Sequence, residues 1–266
     1  MGMNTMNSKK NILLVLTVSI IALCCVMLSG CGDDRDALQR ILAEEEIVFG
    51  IEPDKLPLSF ETGGDPVGLS VDIAKELAYR LDVEPRFVFV SASDARAALD
   101  EGEIDLFVNL PSPGQKEEAT MQTVDAGIDY RQIMVVPSDS DVSRLYDLKG
   151  GTLAIISGSD AAAALDEAEV FKSELEGIIW CEIASEQFEA ISSGRADAML
   201  VDEPVYLYIM NGVDSDYEVL GDVISRTRLI IAMNQRDTRL AQRIQSLYDD
   251  MESDGTLGRI RSDWIG

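Results

Sequence analysis

Ala97-Ala98-Leu99-Asp100-Glu101-Gly102-Glu103-Ile104-Asp105-Leu106-Phe107-Val108, residues 97–108, decides the fold, because the chain says it twice. A short helical pattern from Ser93 to Glu101 stops at Gly102, as a C-cap glycine stops a helix, and Asp105 introduces an apolar strand that runs on to Leu110. Ninety-two residues later, Glu189-Ala190-Ile191 leads to Gly194, Asp197 and the apolar Ala198-Met199-Leu200-Val201. Each copy follows another strand and helix. For the first these are Ile47–Ile51, with a helical stripe over Ser70–Leu81 that Ser70 caps, and a strand Arg86–Val90. For the second they are Leu153–Ile156, Asp160–Ala168 and Ile178–Ile183. Strands alternating with helices of this length imply parallel sheets, and two copies imply two similar α/β lobes.

Working outward, Ala37–Glu46 is an amphipathic lead-in, and Pro53–Gly64 reads as a loop. Two apolar runs, Ile133–Val136 within Arg131–Pro137 and Leu229–Met233, are the expected two-strand hinge. The amphipathic tail from Thr238 to Gly255 carries Leu240, Ile244, Leu247 and Met251 on one face and belongs to the first lobe if the chain crosses twice. The expected division is a signal at 1–30, a linker at 31–45, lobe 1 at 46–136 and 229–266, and lobe 2 at 137–228.

The N-terminus gives the address. Lys9-Lys10 precede Ile12–Leu28, which carries no charged side chain, and Leu28-Ser29-Gly30-Cys31 closes the run. A secretory signal ends this way. The closure resembles that of bacterial lipoproteins, which implies lipidation of Cys31 and a body tethered outside the cytoplasm. The alternative is an uncleaved single-span anchor.

The 266 residues carry a formal charge of −26, and losing Lys9 and Lys10 takes it to −28. So acidic a body repels nucleic acid and anionic lipid, and its carboxylates read mainly as a solvated surface. The absence of histidine removes His-dependent triads, most zinc sites and the usual proton shuttle. Of four cysteines, Cys24 and Cys25 fall in the signal, so Cys181 is left alone as a buried, inert thiol. No catalytic set, metal site or cofactor motif is expected.

In open parallel sheets a ligand sits at the carboxyl ends of the strands, where helices begin. Those ends are Glu52 and Asp54, Asn109 to Ser112, Ser157 to Asp160, and Asp202-Glu203. Two facing lobes put them on opposite walls.

The motifs Val67-Gly68-Leu69-Ser70-Val71-Asp72-Ile73-Ala74, Leu99–Asp105, Asp147-Leu148-Lys149-Gly150 with Ala154-Ile155, Gly194-Arg195-Ala196-Asp197-Ala198, and Asp254-Gly255-Thr256-Leu257 with Trp264 occur in that order. From about Glu46 to Gly266 the chain resembles bacterial extracellular solute-binding proteins of the polar amino-acid uptake type, family 3. The resemblance implies a type II periplasmic-binding-protein-like α/β fold, two lobes that close on a small polar solute, and delivery to the membrane permease of an ABC importer. It implies no catalysis, no nucleic acid and a monomer. By position, Asp202 matches the family's ammonium-binding aspartate, Ser112 a hydroxyl position, and Gly158-Ser159-Asp160 the helix-start loop of the second wall. The family's carboxylate-gripping arginine is replaced by Glu117, beside Lys116 and Glu118. Its loop aromatics give way to Lys55 and Leu58 in one loop and Ala92 in another. Phe60 matches an aromatic position and reads as core.

The ligand set is therefore Glu52, Asp54, Lys55, Asn109, Ser112, Glu117, Ser159, Asp160 and Asp202. A buried carboxylate facing a ligand carboxylate would cost several kcal/mol. Three readings stay open: Glu117 points to solvent, Lys55 or Lys116 has taken over the carboxylate, or the site is acidic throughout and takes a cation. A sensor or adaptor acting on a membrane partner is the alternative function. An enzyme of the dehydratase kind is the third, with Glu203 beside Asp202 its one testable carboxylate pair.

Overall fold

The computed structural model describes residues 36–111, 118–211 and 216–266. Cys31, Ser112, Lys116 and Glu117 lie outside them. The chain opens with α1 (Ala37–Glu44), whose N-cap Asp36 accepts the Gln39 N–H, and β1 (Glu46–Ile51). A hairpin β2 (Phe60–Thr62) and β3 (Asp65–Val67) follows within the expected loop region, then α2 (Leu69–Leu81), β4 (Glu84–Phe89), α3 (Ala95–Glu101) and β5 (Leu106–Pro111). A long strand β6 (Met121–Pro137) leads to β7 (Thr152–Ile156), α4 (Asp160–Glu167), α5 (Glu169–Glu174), β8 (Gly177–Cys181), α6 (Ala184–Ser192), β9 (Ala198–Asp202) and α7 (Glu203–Met210). A second long strand, β10 (Tyr217–Asn234), returns the chain to α8 (Thr238–Ser253) and α9 (Thr256–Ile265).

The strands form one sheet in the order β4-β1-β5-β10-β6-β9-β7-β8. Its two ends mirror each other. β1 pairs in parallel with β4 and β5, as β7 does with β8 and β9. β10 closes the first half antiparallel to β5, and β6 closes the second antiparallel to β9. The repeated motif explains the symmetry. Gly102 (φ 74°) ends α3, and Gly194 (φ 71°) follows α6; both take the left-handed conformation that glycine adopts without strain. Three residues on, Asp105 exchanges bonds with Val48: its N–H donates to the Val48 carbonyl at 2.9 Å and its Oδ2 accepts the Val48 N–H at 2.8 Å. Asp197 does the same with Thr152, at 2.9 and 2.7 Å. Each aspartate thus locks a new strand beside its neighbour.

Four hydrophobic clusters back the sheet, two per half. In the first half Phe49, Ile73, Leu77, Ile244 and Leu257 fill one face, and Leu99, Ile104 and Phe107 the other. In the second half Leu153, Leu165 and Leu200 fill one face, and Ala190, Met199 and Val201 the other. The tail packs on the first half, and α9 extends it beyond the expected stop at Gly255.

Two expectations need correction. The hinge strands are far longer than the apolar runs, because their outer parts are half-buried: Val124, Ala126, Ile128 and Tyr130 face inward between exposed Asp125, Gly127 and Asp129, a period-two pattern without an apolar block. Ile133–Val136, at the end of β6, pack in the second half's two clusters. Ser70 does not cap α2. The helix starts one residue earlier behind Gly68, and Ser70 is buried. Among the described residues no helix is long and apolar enough to cross a membrane.

Candidate ligand-binding cleft

The strand ends of both halves converge on a cavity of about 650 Å3. From the first half comes the β1–β2 loop with Glu52, Asp54 and Lys55. It is stapled: the Lys55 and Ser59 backbones exchange bonds at 2.7 and 2.9 Å, and the Ser59 hydroxyl donates to the Glu52 carbonyl at 2.6 Å. From the second half comes the turn Ser157-Gly158-Ser159, where Gly158 has φ 72° and the Ser159 hydroxyl caps α4 by accepting the Ala162 N–H at 3.0 Å. The end of β9 supplies Asp202, ahead of α7 with its early Pro204. Tyr130 forms part of the floor, while Ile156, Ile183 and Val205 make the second-half wall apolar.

Glu52, Asp54, Glu182 and Asp202 line the cavity with one ammonium, Lys55, and Asp160 reaches it through that lysine. Lys55 Nζ crosses from the first half to Asp160 Oδ1 at 2.9 Å, and the Tyr130 hydroxyl donates to Asp160 Oδ2. Asp202, 7% exposed, accepts from Gln132 Nε2 at 3.0 Å; the same amide donates to Thr227 Oγ1 at 3.0 Å. Burial and then the Asp160 charge push the Asp202 carboxyl up to about 6, against the opposing pull of Gln132 and Lys55. Glu52 is also raised, by burial first and Asp160 next, with Lys55 opposing. Burial acts against the Lys55 charge, but Asp160 and Glu52 outweigh it and hold its pKa above the ordinary lysine value. The Tyr130 phenol is pushed up by burial and by Asp160 and Asp202, so it stays a donor. Beyond Asp160 lies a second recess of about 370 Å3, between α4, Pro111 and residues 225–228 of β10.

A sequence profile of the bacterial extracellular solute-binding proteins, family 3, matches residues 47–266. The chain belongs to that family. Among curated relatives it is similar to the arginine-binding extracellular protein ArtP of Bacillus subtilis, 23% identical over 251 residues, 92% of this chain and 96% of the relative. It is also similar to the L-cystine-binding protein TcyJ of Escherichia coli K12, 22% identical over 238 residues, 88% and 87% of the two chains. Among solved structures, the ancestral cationic amino acid solute-binding protein AncCDT-1 superposes with a TM-score of 0.74 at 25% identity, over 86% of this chain and 99% of that one. Another structure of AncCDT-1 describes it as a precursor of cyclohexadienyl dehydratase. A Streptococcus pneumoniae ABC uptake transporter substrate-binding protein with bound histidine has a TM-score of 0.69 at 21% identity, over 87% and 96% of the chains. The likeness in fold is to type II periplasmic binding proteins.

In this family 3 protein Glu52, Asp54, Lys55, Ser159 and Asp202 line one cavity, and Asp160 joins it through Lys55 and Tyr130. Asn109 lines neither recess. It is buried at φ 58° and donates through Nδ2 to Ser70 Oγ at 2.9 Å, so it fixes the start of α2 to the end of β5. The pair Asp202-Glu203 is split. Asp202 faces the cavity, whereas Glu203 accepts Arg131 Nε at 2.9 Å and the Arg131 N–H at 3.2 Å, which hold its carboxyl low despite partial burial. Sequence reading missed Tyr130 and Gln132, which belong to a strand it began too late, and Gln187, which donates to the Ala154 and Leu200 carbonyls at 3.2 and 2.9 Å. Phe60 is not core. Its ring meets Tyr208 at 6.4 Å and Trp264 at 6.0 Å, and those two stack at 6.1 Å, which joins α7 of the second half to α9 of the first. Cys181 is buried and its thiol pKa is raised, first by burial and then by Glu186.

Proposed function

We propose that the protein is an extracytoplasmic substrate-binding component of an ABC importer, lipid-anchored through Cys31, which captures a small solute bearing a positive charge. Cationic amino acids and amines form the class. The carrying observation is the imbalance at the cavity: Glu52, Asp54, Glu182 and Asp202 line it against the single ammonium of Lys55 among the described wall residues, and that ammonium is already paired with Asp160. Carboxylates raised by burial and mutual repulsion gain most from a bound cation, which returns them to the charged state they favour in water. The ligands of the relatives, arginine, cystine and histidine, support an amino-acid-like solute. We take the first lobe as residues up to about 130 and from about 227, and the second as the stretch between; the long strands β6 and β10 are the hinge. Closure about them follows the solute's differential affinity for the shut form.

The enzyme reading loses its carboxylate pair, because Glu203 is tied to Arg131. The adaptor reading keeps one observation in its favour: Lys55 already bridges the halves.

The test is calorimetric titration and thermal shift of the full chain with L-arginine, L-lysine, putrescine, L-glutamine and L-cystine. A cation at one hundred times its dissociation constant adds about 2.7 kcal/mol, or about 5–11 °C in melting temperature for a body of this size. Binding confined to neutral zwitterions refutes the cation assignment, and no binding at all favours the adaptor.

A further inference from the structure

We propose that Lys55 is a built-in counter-ion and the specificity-determining residue of the cleft: its ammonium takes the place of a ligand ammonium among Glu52, Asp160 and Asp202, ties the halves together, and competes with cationic solutes. This rests on the reading of the 650 Å3 cavity as the solute site.

The geometry carries it. Lys55 belongs to the first half and Asp160 to the second, yet Nζ and Oδ1 are 2.9 Å apart, so the ion pair spans the gap that closure must shut. The side chains are 19% and 23% exposed, which distinguishes the pair from a solvated surface contact. Lys55 is also presented rigidly. Its backbone is paired in both directions with Ser59, itself 2% exposed, so the loop cannot swing the lysine away cheaply. Asp160 is satisfied on both oxygens by the protein, by Lys55 on one and Tyr130 on the other. Glu52 and Asp202 are near enough to act on the same ammonium. A lysine is a compact point charge on an apolar stem, which is the chemistry of an alkylammonium ligand tethered to the wall.

Two consequences separate this role from a grip on a ligand carboxylate. A carboxylate grip would need Lys55 unpaired, whereas here it is committed to Asp160. A tethered competitor lowers the apparent affinity for a cation by the fraction of time it holds the site; occupancy of nine-tenths costs about tenfold. Removing it therefore tightens cation binding, and removing a grip weakens it.

The experiment compares the full chain with Lys55→Ala and Lys55→Met. Lys55→Ala is expected to melt lower than the parent, and n-butylammonium to restore the loss in the variant at concentrations about tenfold below those that raise the parent's melting temperature. Lys55→Met keeps most of the stem, and is expected to bind putrescine on the order of tenfold more tightly than the parent, with no such gain for L-glutamine. Absence of amine rescue, equal stabilisation of parent and variant by the amine, or weaker putrescine binding by Lys55→Met overturns the proposal. Rescue with no solute bound by either protein upholds it and overturns the importer reading instead.

Discussion

Asp202→Asn should make the empty protein more stable and a worse binder. Folding raises the Asp202 carboxyl from 3.8 to about 6, a shift of about two units worth about 3 kcal/mol. The sign follows from proton counting. The folded state holds this proton more tightly than the unfolded chain, so the associated stability is fully present below pH 3.8 and lost as pH rises to about 6. At pH 7.5 the wild-type protein therefore carries a desolvated charge that asparagine removes. Asparagine Oδ1 still accepts from Gln132, so that bond survives. The losses are the attraction to Lys55, for which Asp202 is the smallest of the acidic influences, and the charge assistance to the Asp160 backbone hydrogen bond. About 2 kcal/mol of net gain remains, or about 4–8 °C in melting temperature at pH 7.5, shrinking towards zero by pH 4. Cation affinity should fall by thirtyfold or more, at about 2 kcal/mol for losing one partner of a buried charge pair. Thermal melts at pH 4 to 8 and calorimetry on parent and variant provide the check. A variant less stable than the parent at pH 7.5, or one with the parent's full pH slope, refutes the reasoning.

Gly68→Ala should cost about 3 kcal/mol or more in a urea titration, because a Cβ there would lie 2.3 Å from the Leu58 carbonyl oxygen at φ 132°. Asp105→Ala should cost about 3 kcal/mol, since it strips a buried carboxylate from the Val48 N–H and from Arg40. The repeat-related Asp197→Ala, at an exposed position, should cost nearer 1 kcal/mol. Tyr208→Ala removes two ring contacts between the halves, worth about 0.5–1.5 kcal/mol each, and should shift Trp264 emission to the red in a Trp180→Phe background. Unchanged emission would mean that the aromatic cluster does not hold the halves together.

The fold was legible because its decisive contacts are local and repeated. A glycine that stops a helix and an aspartate three residues later recur at 102 and 105, then at 194 and 197. The physical reason is a carboxylate that mimics a backbone acceptor for the neighbouring strand. What stayed hidden was the reach of β6 and β10. The outer part of β6 alternates small or polar residues with buried ones, and that of β10 is mostly exposed or half-buried, so a search for apolar blocks passes over both. The short reading also concealed Tyr130 and Gln132, which stand on β6 just ahead of the apolar run Ile133–Val136.

The site was legible as a set of strand ends but not as an arrangement of charge. Topology alone pointed to Glu52, Ser159, Asp160 and Asp202, since carboxyl ends of parallel strands gather at a cleft whatever their residues, and Lys55 was added by the resemblance. It could not say that Lys55 faces Asp160, because that pairing joins residues 105 apart across two halves. Nor could it say that Asp202 is buried while adjacent Glu203 is held by Arg131, a distinction created by one residue's turn at the end of β9. These two facts change the chemistry. Without the first, the lysine reads as a hook for carboxylates; with it, the cleft is an acidic enclosure that has supplied its own cation. Without the second, neighbouring carboxylates suggest acid–base catalysis; with it, one is held by an arginine and the other is a buried carboxyl, partly protonated near pH 6, that any nearby positive charge would return to its charged form.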